Sequence, residues 1–243
     1  MKLTASLLLV LTAAMAYADD QPDWNDPVWA QVMATPPAAS ELSISEVTVS
    51  RADQLAEAEA TANAALATGN WMQAEQQLND ALARYPDAHQ LRLKLAALQY
   101  GRGAPAQAKA LLQQGLAQAQ APEQAELRLT LARILANENR HAAAWQVLKQ
   151  AEPELAQHLD YYALMAEAGR RSGRCEDAMA VYHRLLTQQN SGPWWLGLGL
   201  CQRSLGRDFT HAFEQAQASV DLGVASLQFV NQQLEQHGTT QTH

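Results

Sequence analysis

From residue 52 onward the apolar and small residues recur in a fixed order. A Gly or Asn is followed five residues later by Ala, and four further on by a large apolar residue. The first copy is Gly69, Ala74, Leu78 and Ala81, closing with Pro86. The second is Gly103, Ala108, Leu112 and Gly115, with Pro122. The third is Asn139, Ala144, Leu148 and Ala151, with Pro153, and the fourth is Gly173, Ala178 and Tyr182. A fifth opens with Trp195, Leu198 and Gly199, then Gly206, and its small residue comes one place late at Ala212. That lag predicts a one-residue insertion near Phe209-Thr210. Spacings of three and four between apolar positions predict amphipathic helices, paired within each copy. A last helix is expected over Val224–Gln236, with Leu227, Val230 and Leu234 on one face and Gln232, Gln233, Glu235 and Gln236 on the other. Residues 237–243 are expected to be a disordered tail.

The copies begin near residues 55, 89, 125, 159 and 192, a period of about 34 residues. A period of that length, with a small residue in each helix and Gly at the turn, is the tetratricopeptide pattern. The expected fold is all-α: a superhelix of five helix-turn-helix units over residues 52–236, ended by a capping helix. Ala62, Ala96, Ala166 and Gly199 are placed at the crossing in the first helix of a unit. Ala74, Ala108, Ala144 and Ala178 are placed there in the second. Larger residues at these points would push the helices apart, at roughly 1–3 kcal/mol of overpacking. Gly69, Gly103, Gly173 and Gly206 are expected to stop the first helix of a unit in a left-handed conformation, with Asn139 as the substitute.

The first eighteen residues follow a different rule. Lys2 precedes an apolar run from Leu3 to Ala14, and Ala16-Tyr17-Ala18 leads into Asp19-Asp20. This reads as a secretory signal peptide cleaved after Ala18, which predicts a periplasmic protein in a Gram-negative cell. An uncleaved N-terminal anchor is the alternative. Residues 19–51 hold Pro22, Pro27, Pro36 and Pro37 and no sustained helical period, so a flexible linker is expected. Within it, Trp24 and Trp29 read either as a short docking motif or as an arm folded on the first helices. Glu41–Ser50 alternates polar and apolar residues. It reads as a strand added to a partner's sheet edge or as plain linker.

Composition narrows the function. The formal net charge of the 243 residues is -8, which disfavours nucleic acid because phosphate binding needs a dense basic patch. The seven histidines form no HExxH or Cys-His cluster. There is no GxSxG and no Walker lysine. Gly197-Leu198-Gly199 starts like a dinucleotide loop, but residue 202 is Gln and the segment falls inside an expected helix. A non-catalytic protein is expected, with no cofactor, no metal and no small-molecule substrate. Membrane contact is expected only through partners or an uncleaved N-terminal segment.

What remains is protein binding. The expected groove-facing residues of the first helices include Glu59, Asn63, Tyr100, Arg133, Glu167, Arg170 and Arg203. Three arginines on successive units, Arg133, Arg170 and Arg203, could hold an acidic peptide by bidentate pairing. The alternative is an ordinary solvated face with local pairs such as Glu167 with Arg170 or Arg171. Glu59 stands where the chaperone-tail-binding subtype needs a basic residue, which excludes that subtype. Cys175 and Cys201 fall on helices expected to pack antiparallel, towards the same end. They read either as a disulfide or as two separate thiols.

The stretch from Ser191 to Leu234, SGPWWLGLGLCQRSLG…AFEQAQASVDLGVASLQFVNQQL, resembles the C-terminal end of the MshN-like tetratricopeptide proteins. The entry SISEVTVSRADQLAEAEATANAALATGNWMQAEQQL is similar to theirs as well. The resemblance implies a periplasmic adaptor in mannose-sensitive hemagglutinin type IV pilus biogenesis, with partners in an envelope or pilus assembly machine. Members of that group usually carry a cytoplasmic stretch and a membrane helix before the repeats, where this chain has a signal-like segment. The alternatives are a general scaffold for outer-membrane or cell-wall assembly and a non-catalytic subunit feeding an enzyme.

Overall fold

The computed structural model describes residues 49–241, with side chains to His237, together with Pro27, Gln31 and Ala34. Those three residues are helical and exposed. The signal segment, Trp24 and Trp29 lie outside the described residues, as does most of the 19–51 linker. Residues 1–48 form a unit of their own, and the repeats form a second from Val49.

Each Gly or Asn expected at a turn has the backbone that turn demands. Gly69, Gly103, Gly173 and Gly206 have φ between 68° and 78°, and Asn139 has φ 58°. These left-handed residues separate the two helices of five units. The helices are α1 (Arg51–Ala67) and α2 (Trp71–Arg84), α3 (His89–Gly101) and α4 (Pro105–Gln118), α5 (Ala121–Asn137) and α6 (His141–Leu148), α7 (Leu159–Arg171) and α8 (Cys175–Leu186), then α9 (Gly192–Ser204) and α10 (Thr210–Ala218). α11 (Val224–Gln241) follows. Ser50 caps α1 by accepting from the Asp53 amide. Among the described residues there is no strand, and no helix is long and apolar enough to cross a membrane.

The late small residue of the fifth unit has a visible cause. In the other units the second helix starts two residues after the left-handed turn. Here Arg207, Asp208 and Phe209 intervene before Thr210. Asp208 accepts from the Thr210 amide at 2.9 Å and starts the helix there. The end of the chain differs from expectation. The segment expected to be loose from residue 237 continues α11 as far as Gln241. No proline interrupts it, and one Gly inside a helix costs only about 1 kcal/mol relative to Ala.

Helices pack as the small residues dictate. Ala74, Ala96, Ala108, Ala144, Ala166 and Ala178 are fully buried, and Ala62 nearly so. A Cβ on Gly199 would lie 2.4 Å from the ring of the buried Phe213. The second helix of each unit meets the first helix of the next, and the first helices α3, α5, α7 and α9 also touch in series. The core runs along the stack: Leu78 and Leu95, then Leu112, Leu127, Leu148, Tyr161 and Leu185, then Phe213 and Val230. α11 closes the stack, with Val230 buried and Leu234 packed beside it. A repeat with one apolar flank uncovered would expose that core, so the last helix supplies the missing neighbour.

One buried charge interrupts this core. Arg92 is 1% exposed. Its guanidinium donates to His89 Nδ1 at 3.0 Å and reaches Gln118 Oε1 at 3.4 Å, while its Nε finds no protein partner. With Nδ1 accepting, the His89 proton sits on Nε2, which points to Glu123 Oε2 at 3.4 Å. Gly115 makes room for Arg92, because a Cβ there would lie 2.5 Å from the arginine Cδ.

Candidate functional site

The row of first helices carries a ladder of polar contacts between units. Glu59 of α1 pairs with Lys94 of α3 at 2.5 Å. Gln90 of α3 donates to Glu126 of α5 at 2.8 Å, and Asn137 of α5 donates to Tyr100 of α3 at 3.2 Å. Arg133 of α5 pairs with Asp160 of α7 at 2.6 Å. Arg203 of α9 donates to Gln233 of α11. Asn63 is exposed on α1. The rungs span neighbouring units because successive first helices lie side by side.

The three arginines expected to form one stripe therefore have separate engagements. Arg133 and Asp160 are 55% and 59% exposed, so their pair is worth about 0–1 kcal/mol and yields readily to a competing carboxylate. Arg170 is held differently. Its Nε and a terminal nitrogen both donate to Glu167, at 2.8 and 2.7 Å, and Arg171 Nε donates to the same carboxylate at 2.5 Å. The buried Tyr182 hydroxyl adds a third donor at 3.1 Å. Burial pushes the Glu167 carboxyl up, but the two arginines outweigh it and hold it below the usual carboxylate range. The same bond to Glu167 raises Arg170 further, against burial. The local pairs anticipated for Glu167 are both present.

Two hollows open on this row. The first, about 430 Å3, lies among α1, α3 and α5. Leu55, Leu91 and Leu93 form its apolar part, and Glu59, Asp87, Glu123 and Glu126 its acidic rim. Asp87 lies below its ordinary range, chiefly through the hydrogen bond from Arg51 at 2.6 Å. The second hollow, about 300 Å3, lies at the other end, between α7, α9 and the start of α11. Leu196, Leu200, Leu222 and Pro193 line it, with Arg170 and Arg171 against the single carboxylate of Glu167. Arg203 continues the helical face of Leu196 and Leu200 by i, i+4, i+7 spacing. This end combines an apolar floor with cationic walls.

Sequence reasoning placed Arg170, Glu167 and Arg203 at this end. It missed the leucine floor, and it named Arg171 only as a local partner of Glu167. The 196, 200, 203 spacing was available as a signal, but leucines at helical spacing look the same whether they face core or hollow. Among the described residues, no group of three or more His, Cys, Asp or Glu could hold a metal ion.

Cys175 and Cys201 are both buried and unbridged. They occupy the facing ends of α8 and α9, so the expected antiparallel adjacency is present. Burial first, and then the neighbouring Cys175 thiol, pushes the Cys201 thiol well above its ordinary range.

The fold and the helix-row surface define a class: an all-α tetratricopeptide-repeat superhelix. One family model described as tetratricopeptide repeat matches residues 101–168, and a second matches residues 59–108. Among solved structures, a crystal structure of MamA protein is similar at 18% identity and a TM-score of 0.55, over 68% of this chain and 91% of that one. An RS-1 MamA double mutant is similar at 12% identity and a TM-score of 0.57, over 76% and 98%. YrrB, described as a tetratricopeptide protein with an unusual peptide-binding site, is similar at 13% identity and a TM-score of 0.54, over 64% and 80%. At these identities the likeness is one of fold. No curated protein matches the sequence. No catalytic family is indicated.

Proposed function

We propose that this chain is a non-catalytic adaptor that holds an acidic, leucine-bearing segment of a partner protein against α7, α9 and α11. The hollow of Leu196, Leu200 and Leu222 beneath Arg170 and Arg171 carries the reading. Its floor takes an aliphatic side chain, and the guanidinium nitrogens not engaged with Glu167 take a neighbouring carboxylate. Exposed pairs such as Arg133–Asp160 can open to extend the contact. The signal-like first eighteen residues support a periplasmic site of action. The WWLGLG and QFVNQQL resemblance supports a place in assembly of a type IV, MSHA-like pilus.

The test is site-specific photo-crosslinking in cells. A photoreactive residue replaces Ser226 in the hollow, or the exposed Gln146 on a second helix as the comparison. Adducts with pilus-assembly proteins at 226 and not at 146, lost in an Arg170→Glu/Arg203→Glu variant of unchanged helicity, are expected. Adducts at 226 with outer-membrane or cell-wall assembly proteins would keep the adaptor and replace the pilus with a general envelope scaffold. Equal labelling at the two positions would refute the hollow as the binding site.

A further inference from the structure

The two cysteines do no work in the proposed adaptor, yet the fold brings them together. Cys175 is the first residue of α8, and Cys201 lies in the last turn of α9. Nearly the whole of both helices and their connection separate them in sequence, but α8 and α9 pack directly on one another. Cys175 is 6% exposed and Cys201 is fully buried. Ser204 lies across the gap. Its hydroxyl is 3.1 Å from Cys175 Sγ and 2.9 Å from the Cys201 carbonyl oxygen. The Cys175 sulfur therefore rests against the helical turn that carries Cys201. Both thiols are buried, and the Cys175 thiol lies close enough to act on Cys201, so each has the other as a neighbour.

We infer that Cys175 and Cys201 are the two halves of an intramolecular disulfide that staples the fourth repeat to the fifth. The reaction needs a disulfide oxidant, here oxidised glutathione or a protein disulfide of the same class. The Cys175 thiolate attacks one sulfur of the oxidant, forms a mixed disulfide and expels one thiolate. The Cys201 thiolate then attacks the Cys175 sulfur and expels the second. Two protein thiols are oxidised, one oxidant disulfide is reduced, and the two thiol protons pass to the released thiolates. Cys175 is the entry point because it alone retains some exposure. Cys201 shares α9 with the hollow's Leu196 and Leu200, and Arg170 and Glu167 are among the charges that act on it.

The experiment uses the purified full chain. It is incubated with excess oxidised glutathione, unfolded in guanidinium with N-ethylmaleimide, and weighed by mass spectrometry. The expected product is monomeric, two hydrogens lighter than the reduced chain, and free of maleimide adducts. Its proteolytic map should contain one peptide joining Cys175 to Cys201, and reduction should restore two adducts and lower the melting temperature. Cys175→Ser and Cys201→Ser, each checked for helicity, should each retain one alkylatable thiol and show no response of melting to reductant. Two maleimide adducts after oxidation, glutathione retained on either cysteine, or disulfide-linked dimers would each overturn the inference. None of these readouts depends on what the hollow binds.

Discussion

Replacing Gly197 by Ala tests the packing argument at its tightest point. Gly197 is buried in α9. A Cβ there would lie 2.3 Å from Tyr182 Cζ and 2.4 Å from its hydroxyl oxygen. Tyr182 cannot step aside freely, because it is 2% exposed and its hydroxyl donates to Glu167 at 3.1 Å. Helix propensity alone favours Ala over Gly by about 1 kcal/mol. Overpacking costs about 1–3 kcal/mol, and disturbing a hydrogen bond to a charged group costs about 1.5–3 kcal/mol when it is lost outright. The tyrosine keeps part of that bond as it shifts, so the expected net loss is about 1–3 kcal/mol. Gly101→Ala is the matched control. It ends α3, and beyond its chain neighbours and the backbone of its own helix nothing lies within 4 Å of its added Cβ. The same substitution there is expected to be neutral or to stabilise by up to about 1 kcal/mol. Urea unfolding followed by circular dichroism measures both. Hydrogen exchange in α8 and α9 reports whether the loss is local, since repeat arrays need not unfold as one unit. Tyr182→Leu removes the ring end, so the double variant should be more stable than the two single effects summed. Gly197→Ala at or above wild-type stability, or strict additivity with Tyr182→Leu, would refute the account.

Two further outcomes follow from caps and turns. Asp221 accepts from the Gly192 amide at 2.8 Å and the Ser191 hydroxyl at 2.8 Å, anchoring the start of α9. The Gly192 bond, aided by Ser191 and opposed by burial, lowers its carboxyl below the ordinary value. The stabilisation is therefore full above the unfolded carboxyl range of about 4 and is lost as pH falls through the folded value. Asp221→Asn should melt lower than wild type at pH 7, with the gap closing towards pH 3, and a gap independent of pH would contradict this. Asn139 sits at φ 58°. Asn139→Gly should leave stability unchanged or slightly raised, whereas Asn139→Ala should lose about 1 kcal/mol in the same urea assay.

The turns and the crossings were legible because they depend on local chemistry. A left-handed residue must be Gly or a substitute such as Asn, and a close helix crossing must be small, so Gly173 and Ala178 announce themselves wherever the chain folds. Arg92 was not legible. A charged residue in an amphipathic helix reads as solvated, and only the packing of α3 against α4 shows that Gly115 opens a buried place for it. The groove was half legible. The arginines were placed on the right helices and the local Arg170–Glu167 pair was anticipated, but the other two are bound by atoms far away in sequence: Arg133 by Asp160, Arg203 by Gln233.

The sequence by itself determined the all-α class, the five units, their turns and the closing helix. Each of these follows from spacing along one helix or across one turn, where the physics is short-ranged. Only the tertiary structure decided which polar residues neutralise one another between units and that Leu196, Leu200 and Leu222 line a hollow instead of filling a core. It also decided that Cys175 and Cys201, expected on neighbouring antiparallel helices, are both buried. Those are properties of surfaces made by stacking, and stacking brings together residues whose separation along the chain carries no local signal.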